Sequence, residues 1–419
     1  MGPYAIVRTS MTGPARLGWL QRRLAALLQR TLSAVAVRLE LWNGSVLYDG
    51  PQPAIGSLVV GDPRALRGLV FDPHMEFGEA YMAGRLRVRG GLGPVVAAIS
   101  RTSLSPTLRD RLALLVPASN SVSKSRRNVH HHYDLGNDFY QGWLDEQLLY
   151  TCAYFEHPDV SLEDAQRAKM DLVCRKLRLQ PGETVVEAGC GWGALALHMA
   201  RAYGARVKAF NLSHEQITFA RERARREGLA GQVDFIEDDY RNVQGQFDAF
   251  VSVGMLEHVG LRHYDSLARV LNRVLPRAGG RGLLHFIGRD IARPLNAWIR
   301  RRIFPGAYAP TLAEVTSRVL EPARMSVLDV ENLRMHYART LAHWSQRFAA
   351  IETQVRARYG EEFSRAWQLY LVGSEAAFAV GSLQLFQVVF SPAETAPPYW
   401  SRSEIYSGQA ADQWFAATR

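Results

Sequence analysis

Only three cysteines occur in this chain, at positions 152, 174 and 190, too few for a disulfide framework and at no metal-binding spacing. Their scarcity points to a reducing compartment. Lysine is almost as rare: it stands at positions 124, 169, 176 and 208, so nearly all of the 50 basic residues are arginine. A net charge of +10 and a pI near 9.7 suit an anionic partner, either nucleic acid or an anionic membrane face. Arginine excess is equally what a GC-rich genome produces. The short cluster Lys124-Ser125-Arg126-Arg127 lies in polar surroundings and reads as solvated linker rather than a nucleic-acid stripe. Long apolar runs are missing too. The longest uncharged stretch lies between Glu375 and Glu394, but Gly381, Gln384 and Gln387 interrupt it, and it suits a buried strand better than a bilayer span. The N-terminus has no charged-then-apolar leader with a small-residue cleavage site. Segment 17–32 is instead amphipathic, with Leu20, Leu24, Leu27, Leu28 and Leu32 expected on one packed helical face. These absences predict a soluble chain that touches membranes at most peripherally.

What is present is apolar material: 419 residues at 47% hydrophobic content can bury one large or two modest cores. Residues 1–117 read as a first unit, an α+β piece with strands near 34–41, 45–49 and 57–60 and a helix over 73–82. A polar linker follows at 118–128. From 129 to 419 the chain reads as one α/β domain, doubly wound around a parallel sheet. Helix 162–177 precedes strand 184–188, and further strands are expected at 206–211, 233–237, 247–253 and 281–287. Helices over 214–227 and 264–275 lie between them. Alternation of this kind builds a parallel sheet whose ligands sit at the carboxyl ends of its strands. That rule gathers 189–193, 211–213, 238–240, 254–258 and 285–288 around one crevice. Prolines at 294, 305, 310 and 322 break the rhythm, so about 290–350 reads as an inserted cap.

The most specific local signal is Thr184-Val185-Val186-Glu187-Ala188-Gly189-Cys190-Gly191-Trp192-Gly193, followed by helical apolar spacing. A strand thus runs into a G-x-G-x-G turn, tighter than the dinucleotide G-x-G-x-x-G. Glycines there let the backbone turn sharply and approach a ligand. The spacing suits a nucleoside ligand without a pyrophosphate, with S-adenosylmethionine the leading candidate. Glu187 is placed to hold that ligand's ammonium group or to order the loop.

Other clusters carry polar groups. His130-His131-His132 invites a metal reading, but adjacent residues do not converge on one ion and no partner stands at ligand spacing, so no metal is expected. Glu257-His258, after the strand ending at Val253, is either acid–base machinery or a helix cap. His285 sits inside an apolar strand. Trp298, Phe304 and Pro305 bracket Arg300-Arg301-Arg302, which reads as a lipid-headgroup contact or as solvated charge.

Together these segments resemble the cyclopropane-fatty-acyl-phospholipid synthase family, which includes the mycolic acid cyclopropane synthases. The resemblance runs from about 129 to 391. It rests on His-Tyr-Asp-Leu-Gly-Asn-Asp-Phe-Tyr at 132–140, Cys-Ala-Tyr-Phe at 152–155, the glycine loop, and Gly-Met-Leu-Glu-His-Val-Gly at 254–260. Ile-Phe-Pro-Gly at 303–306, Glu-Asn-Leu-Arg at 331–334 and Gln-Val-Val-Phe at 387–390 add to it. Residues 78–82, Gly-Glu-Ala-Tyr-Met, resemble the amino-terminal domain of the longer phospholipid enzymes.

The resemblance implies a doubly wound, seven-stranded, Rossmann-like class I S-adenosylmethionine-dependent methyltransferase that cyclopropanates unsaturated membrane phospholipids. It implies bicarbonate as the base, held by Cys152, Glu257, His285, Ile287 and Tyr337, with Cys152 and Ile287 acting through backbone groups. Glu257, His285 and Tyr337 are expected to form one hydrogen-bonded nest. The donor-binding positions it implies are Tyr150, Thr151, Gly189, Gly191, Trp192, Gly193, Leu212, Gln216 and Tyr240, with Asp239 a weaker adenine contact and Glu187 beside them. A homodimer through residues 1–117, at the inner face of the cell membrane in the cytoplasm, is implied as well. Two positions depart from the family pattern. Ser374 stands where some relatives carry a cysteine, which argues against a covalent role there. Asn211 replaces a threonine and keeps a hydrogen-bonding group. Alternatives from the same residues are an acyl C-methyltransferase giving branched or methylene products, a catalytically dead lipid-binding protein, and a nucleic-acid methyltransferase. The last would show a base-flipping motif or a lysine-rich arm, and neither is in the sequence.

Overall fold

A computed structural model describes residues 17–48, 51–102 and 135–406. The linker at 118–128 and the three histidines at 130–132 lie outside the described residues.

The first unit is a small four-stranded sheet, β1 (Val37–Leu41), β2 (Val46–Leu47), β3 (Gly56–Val60) and β4 (Leu86–Arg89), in the order β2-β1-β3-β4. Helices α1 (Trp19–Thr31), α2 (Pro63–Phe71), α3 (Pro73–Met82) and α4 (Leu92–Thr102) accompany it. The expected single face of α1 is narrower than the leucine pattern suggests. Leu24, Leu28 and Leu32 are buried, but Leu20 and Leu27 are 58% and 51% exposed.

The second unit is built on a seven-stranded sheet. Its strands are β5 (Thr184–Ala188), β6 (Arg206–Asn211), β7 (Val233–Glu237), β8 (Ala249–Val253), β9 (Arg281–Gly288), β10 (Met325–Asn332) and β11 (Gln384–Pro392), in the order β10-β11-β9-β8-β5-β6-β7. Strands β9, β8, β5, β6 and β7 run parallel, and β11 is antiparallel to both of its neighbours. The chain leaves β5 toward β6 on one side and returns to β8 on the other. A crevice therefore opens between the carboxyl ends of β5 and β8.

The helices around this sheet are α5 (Leu162–Leu177), α6 (Ala194–Tyr203), α7 (His214–Arg226), α8 (Tyr264–Val274), α9 (Ala297–Arg302), α10 (Arg334–Tyr359) and α11 (Glu361–Ala379). Helix α5 forms where the spacing predicts it, and its ends explain why. Ser161 caps the Asp164 amide at 3.1 Å, Glu163 and Asp164 occupy the first turn, and Arg175 and Lys176 the last. Part of the expected cap is not a cap: Met325–Asn332 is the edge strand of the sheet, paired along its length with β11.

The two units meet through α4, which packs on α11, and through α3. Its Gly78 lies against the Trp298 ring of α9, so close that a Cβ would fall 2.4 Å from the indole. Trp298 Nε1 donates to Met82 Sδ at 3.3 Å, Tyr81 donates to Gln368 at 2.7 Å, and Arg302 forms two bonds to Glu79 at 2.7 and 2.8 Å. Arg300–Arg302 is therefore not one free basic patch. Arg302 joins the two units, and Arg300 Nε donates to the Leu295 carbonyl.

Candidate active site

A cleft opens at the carboxyl ends of β5, β6 and β8. Strand β5 is extended by Thr184, Val185 and Val186, and its last side chains are buried. The chain then turns through Gly189, Gly191 and Gly193, all at positive φ (86°, 52° and 84°), before α6 begins. Ten of the residues expected at the donor site line the cleft: Tyr150, Thr151, Glu187, Gly189, Gly191, Trp192, Leu212, Gln216, Asp239 and Tyr240. Gly193 does not. Its Cα packs inward against Phe235 and Ala220, where a Cβ would approach to 2.5 and 2.9 Å.

The side chains of the cleft are held from behind. Asn211 donates to Gln216 Oε1 at 2.8 Å and to the Gly191 carbonyl at 3.3 Å, while its Oδ1 accepts from the Leu212 amide at 2.8 Å. Asn211 thus ties the loop after β5 to the end of β6. Trp192 Nε1 donates to Asn137 Oδ1 at 2.7 Å, which fixes its ring beside Tyr140. Asp239 is buried, and Arg241 binds both of its oxygens at 2.7 and 2.8 Å, so its carboxylate shapes the wall through Arg241. Burial pushes the Glu187 carboxyl up to about 8, opposed by the Lys169 charge and the Ala196 amide.

The second group of expected residues lies outside the cleft lining, one strand further along. Glu257 follows the end of β8, and its Oε1 accepts from the Ile287 amide of β9 at 2.5 Å. His285, two residues earlier on β9, points to the same face as Ile287. Its Nδ1 is 3.1 Å from Gln387 Nε2 of β11, and its carbonyl accepts from the Gly254 amide. Leu385 pairs with Ile287, and its carbonyl accepts from the Leu333 amide. The Tyr337 amide donates to the Leu333 carbonyl, and the same carbonyl lies 4.0 Å from Cys152 Sγ. One chain of backbone and side-chain contacts thus gathers Glu257, His285, Ile287, Tyr337 and Cys152 around the ends of β9 and β11. The expected direct nest differs in detail. Glu257 is engaged by the Ile287 amide and His285 by Gln387, and no hydrogen bond between the two is present among the described residues.

Glu257 Oε2 and His285 Nε2 are buried without a hydrogen-bond partner among the described residues. Burial pushes the Glu257 carboxyl up to about 7 and holds His285 well below the usual imidazole range. Burial likewise pushes the Cys152 thiol far up, so it is no nucleophile. Around this locus stand aromatic rings. Tyr337 lies 4.5 Å from Phe378 and 6.0 Å from Trp344, centroid to centroid, and the Tyr150 and Tyr370 hydroxyls are 2.6 Å apart. Ser374 lies one turn from both Tyr370 and Phe378 on α11 and is half-buried.

Sequence reasoning missed Lys169, Gln166, Arg241 and Gln387. Lys169 carried a legible signal: it falls on the apolar stripe of α5 in a chain with four lysines. Among the described residues no cluster of ligating side chains holds a metal, and no helix is long and apolar enough to cross a membrane.

Comparison with known proteins agrees with this geometry. Residues 120–388 match the family model for mycolic acid cyclopropane synthetase. A probable fatty acid methyltransferase of Pseudomonas putida is 35% identical over 88% of this chain and 96% of its own. The cyclopropane-fatty-acyl-phospholipid synthase of Escherichia coli K12 is 36% identical over 84% of this chain and 91% of its own. A crystal structure of mycolic acid cyclopropane synthase CmaA1 with SAH and CTAB superposes with a TM-score of 0.60 at 32% identity, covering 63% of this chain and 97% of that one. A glycine-turn cleft, a seven-stranded sheet and these matches converge: the chain is an S-adenosylmethionine-dependent methyltransferase of the mycolic acid cyclopropane synthetase family.

Proposed function

We propose that this enzyme transfers a methylene unit to the cis double bond of an unsaturated acyl chain in a membrane phospholipid, giving a cyclopropane fatty acid. One observation carries the reading: two buried polar atoms without partners among the described residues, Glu257 Oε2 and His285 Nε2, lie in an aromatic surround next to the donor cleft. An alkene is a weak nucleophile, so the donor must be held close and in line. Bound S-adenosylmethionine supplies an electrophilic methyl group. Tyr150, Thr151, Gly189, Gly191, Trp192, Leu212, Gln216 and Tyr240 orient it, Glu187 takes its ammonium group, and Asp239 sets Arg241 in the wall.

Methylation of the alkene leaves a carbocation on the acyl chain. The π faces of Tyr337, Phe378 and Trp344 suit that charge and keep water away. Ring closure then requires loss of a proton from the transferred methyl group. Glu257, His285 and Tyr337 would hold a bicarbonate ion, which would supply the base. Burial favours the protonated form of Glu257 and the neutral form of His285, and in those forms each has a proton to donate to an oxyanion. Ile287 orients Glu257 through its amide, and Cys152 contributes main chain.

The membrane part of the reading is supported by α1. Its Trp19, Leu20 and Leu27 are exposed beside Arg22, Arg23 and Arg30, and the helix has no acidic residue. The same reading has the enzyme work as a homodimer through residues 1–117 at the cytoplasmic face, and analytical ultracentrifugation tests the dimer.

A second reading, transfer that ends in a methyl-branched or methylene chain, is favoured by the 35% identity to the probable fatty acid methyltransferase. Incubation with S-adenosylmethionine and mono-unsaturated phospholipid vesicles, followed by mass spectrometry before and after mild hydrogenation, separates the two. A ring adds CH₂ and resists reduction; a methylene product is reduced; a branch carries two further hydrogens from the start.

A further inference from the structure

Lys169 lines the donor cleft but has no part in the chemistry above. It is fully buried on the inner stripe of α5, and its Nζ donates to Thr151 Oγ1 at 2.8 Å. One turn earlier, Gln166 Nε2 donates to the carbonyls of Leu149 and Thr151 at 3.2 and 2.9 Å. Helix α5 thus grips the loop that carries Tyr150 and Thr151 into the cleft. Glu187, 2% exposed, lines the same cleft with Oε2 unpartnered among the described residues.

Burying an ammonium group is costly unless opposite charge answers it. The groups that feel Lys169 are Asp145, Cys152, Glu187 and His285, and those that feel Glu187 include Cys174 and Cys190. The three cysteines stay neutral because burial pushes their thiols up. His285 stays neutral because burial holds it down. Asp145 is engaged by the amides of Gln147 and Leu149 at 2.9 and 3.0 Å. Glu187 is the acid left facing the ligand.

We propose that Lys169, anchored on Thr151, is a positioning residue: it supplies the positive charge opposite Glu187 that lets this carboxylate receive the amino group of the methyl donor. The inference rests on the reading of this cleft as the donor site. Burial drives Glu187 up to about 8, against the Lys169 charge, and drives Lys169 down to about 8, against the charges of Asp145 first and Glu187 after it. Without the Lys169 ammonium, Glu187 holds its proton more tightly still, and giving it up to receive the donor's own ammonium costs more.

The test compares S-adenosylhomocysteine with 5′-methylthioadenosine, which lacks the amino-acid end, as calorimetric ligands for wild type, K169M and K169R. K169M is expected to weaken S-adenosylhomocysteine about tenfold, the scale of a lost charge-assisted contact, and to leave methylthioadenosine within about twofold. K169R restores the difference. Equal weakening of both ligands, or no weakening, overturns the inference. A second measurement needs only the wild type: at pH 7, in buffers of different ionisation enthalpy, S-adenosylhomocysteine should release a proton on binding and methylthioadenosine none. Binding without that difference overturns the inference alone, whereas a wild type that binds neither ligand overturns the cleft assignment beneath it.

Discussion

The glycines of the loop after β5 hold different duties, and substitution separates them. Gly193 is at φ 84° and turned inward; a Cβ there meets Phe235 at 2.5 Å and Ala220 at 2.9 Å. Gly193→Ala therefore forces a left-handed alanine, costing roughly 1–2 kcal/mol, and overpacks the core for about 1–3 kcal/mol more. Gly191 is at φ 52° with nothing within 4 Å of a built Cβ, and it lines the cleft. Gly191→Ala should cost only the backbone strain, about 1 kcal/mol, while placing a methyl group in the donor's space. Urea denaturation and donor binding, measured side by side, should show Gly193→Ala losing about 2–5 kcal/mol of stability. Gly191→Ala should stay near the wild-type midpoint and bind the donor at least tenfold more weakly. Equal stability losses in the two variants, or a Gly191→Ala protein with normal affinity, would refute this division.

Glu257→Gln should cut turnover a hundredfold or more, on the scale of a lost acid–base group, and leave donor affinity unchanged, because Glu257 lies outside the cleft lining; retained turnover removes it from the base site. The same variant tests proton linkage. Burial raises the Glu257 carboxyl from 4.5 to about 7, so the folded protein holds a proton that the unfolded chain releases. Wild-type stability should therefore fall relative to Glu257→Gln as pH climbs through that window, read from urea midpoints. At the junction of the two units, Gly78→Ala drives a methyl group into Trp298 and should cost about 1–3 kcal/mol. The part-exposed Arg302–Glu79 pair should be worth about 1 kcal/mol or less in a double-mutant cycle.

The glycine turn, α5 and the parallel strands were legible because each is written in local chemistry: β-branched runs, caps and helical apolar spacing. Strand Met325–Asn332 was not. It is an edge strand with an irregular, half-exposed pattern, and it follows a proline-broken stretch that reads as loop. Helix α1 misled in the opposite sense, since leucine spacing marks an apolar face without telling how much of it a neighbour covers. In the site, residue types were readable, but partners were not. That Glu257 bonds the Ile287 amide, or that Gln387 faces His285, depends on β8, β9 and β11 lying side by side across about a hundred residues of chain. Lys169 escaped for a similar reason. Its place on a buried stripe is visible, and the carboxylates around it are not.

The central claim is that the transferred methyl group loses one of its own hydrogens to a base beside Glu257 and His285. Feeding S-adenosylmethionine labelled with three deuteriums on its methyl group, with mono-unsaturated phospholipid vesicles, tests it directly by mass spectrometry and NMR of the acyl product. The account predicts a ring carbon that retains two deuteriums. A saturated branch that retains all three, or no labelled lipid from a folded enzyme that binds its donor, would contradict it.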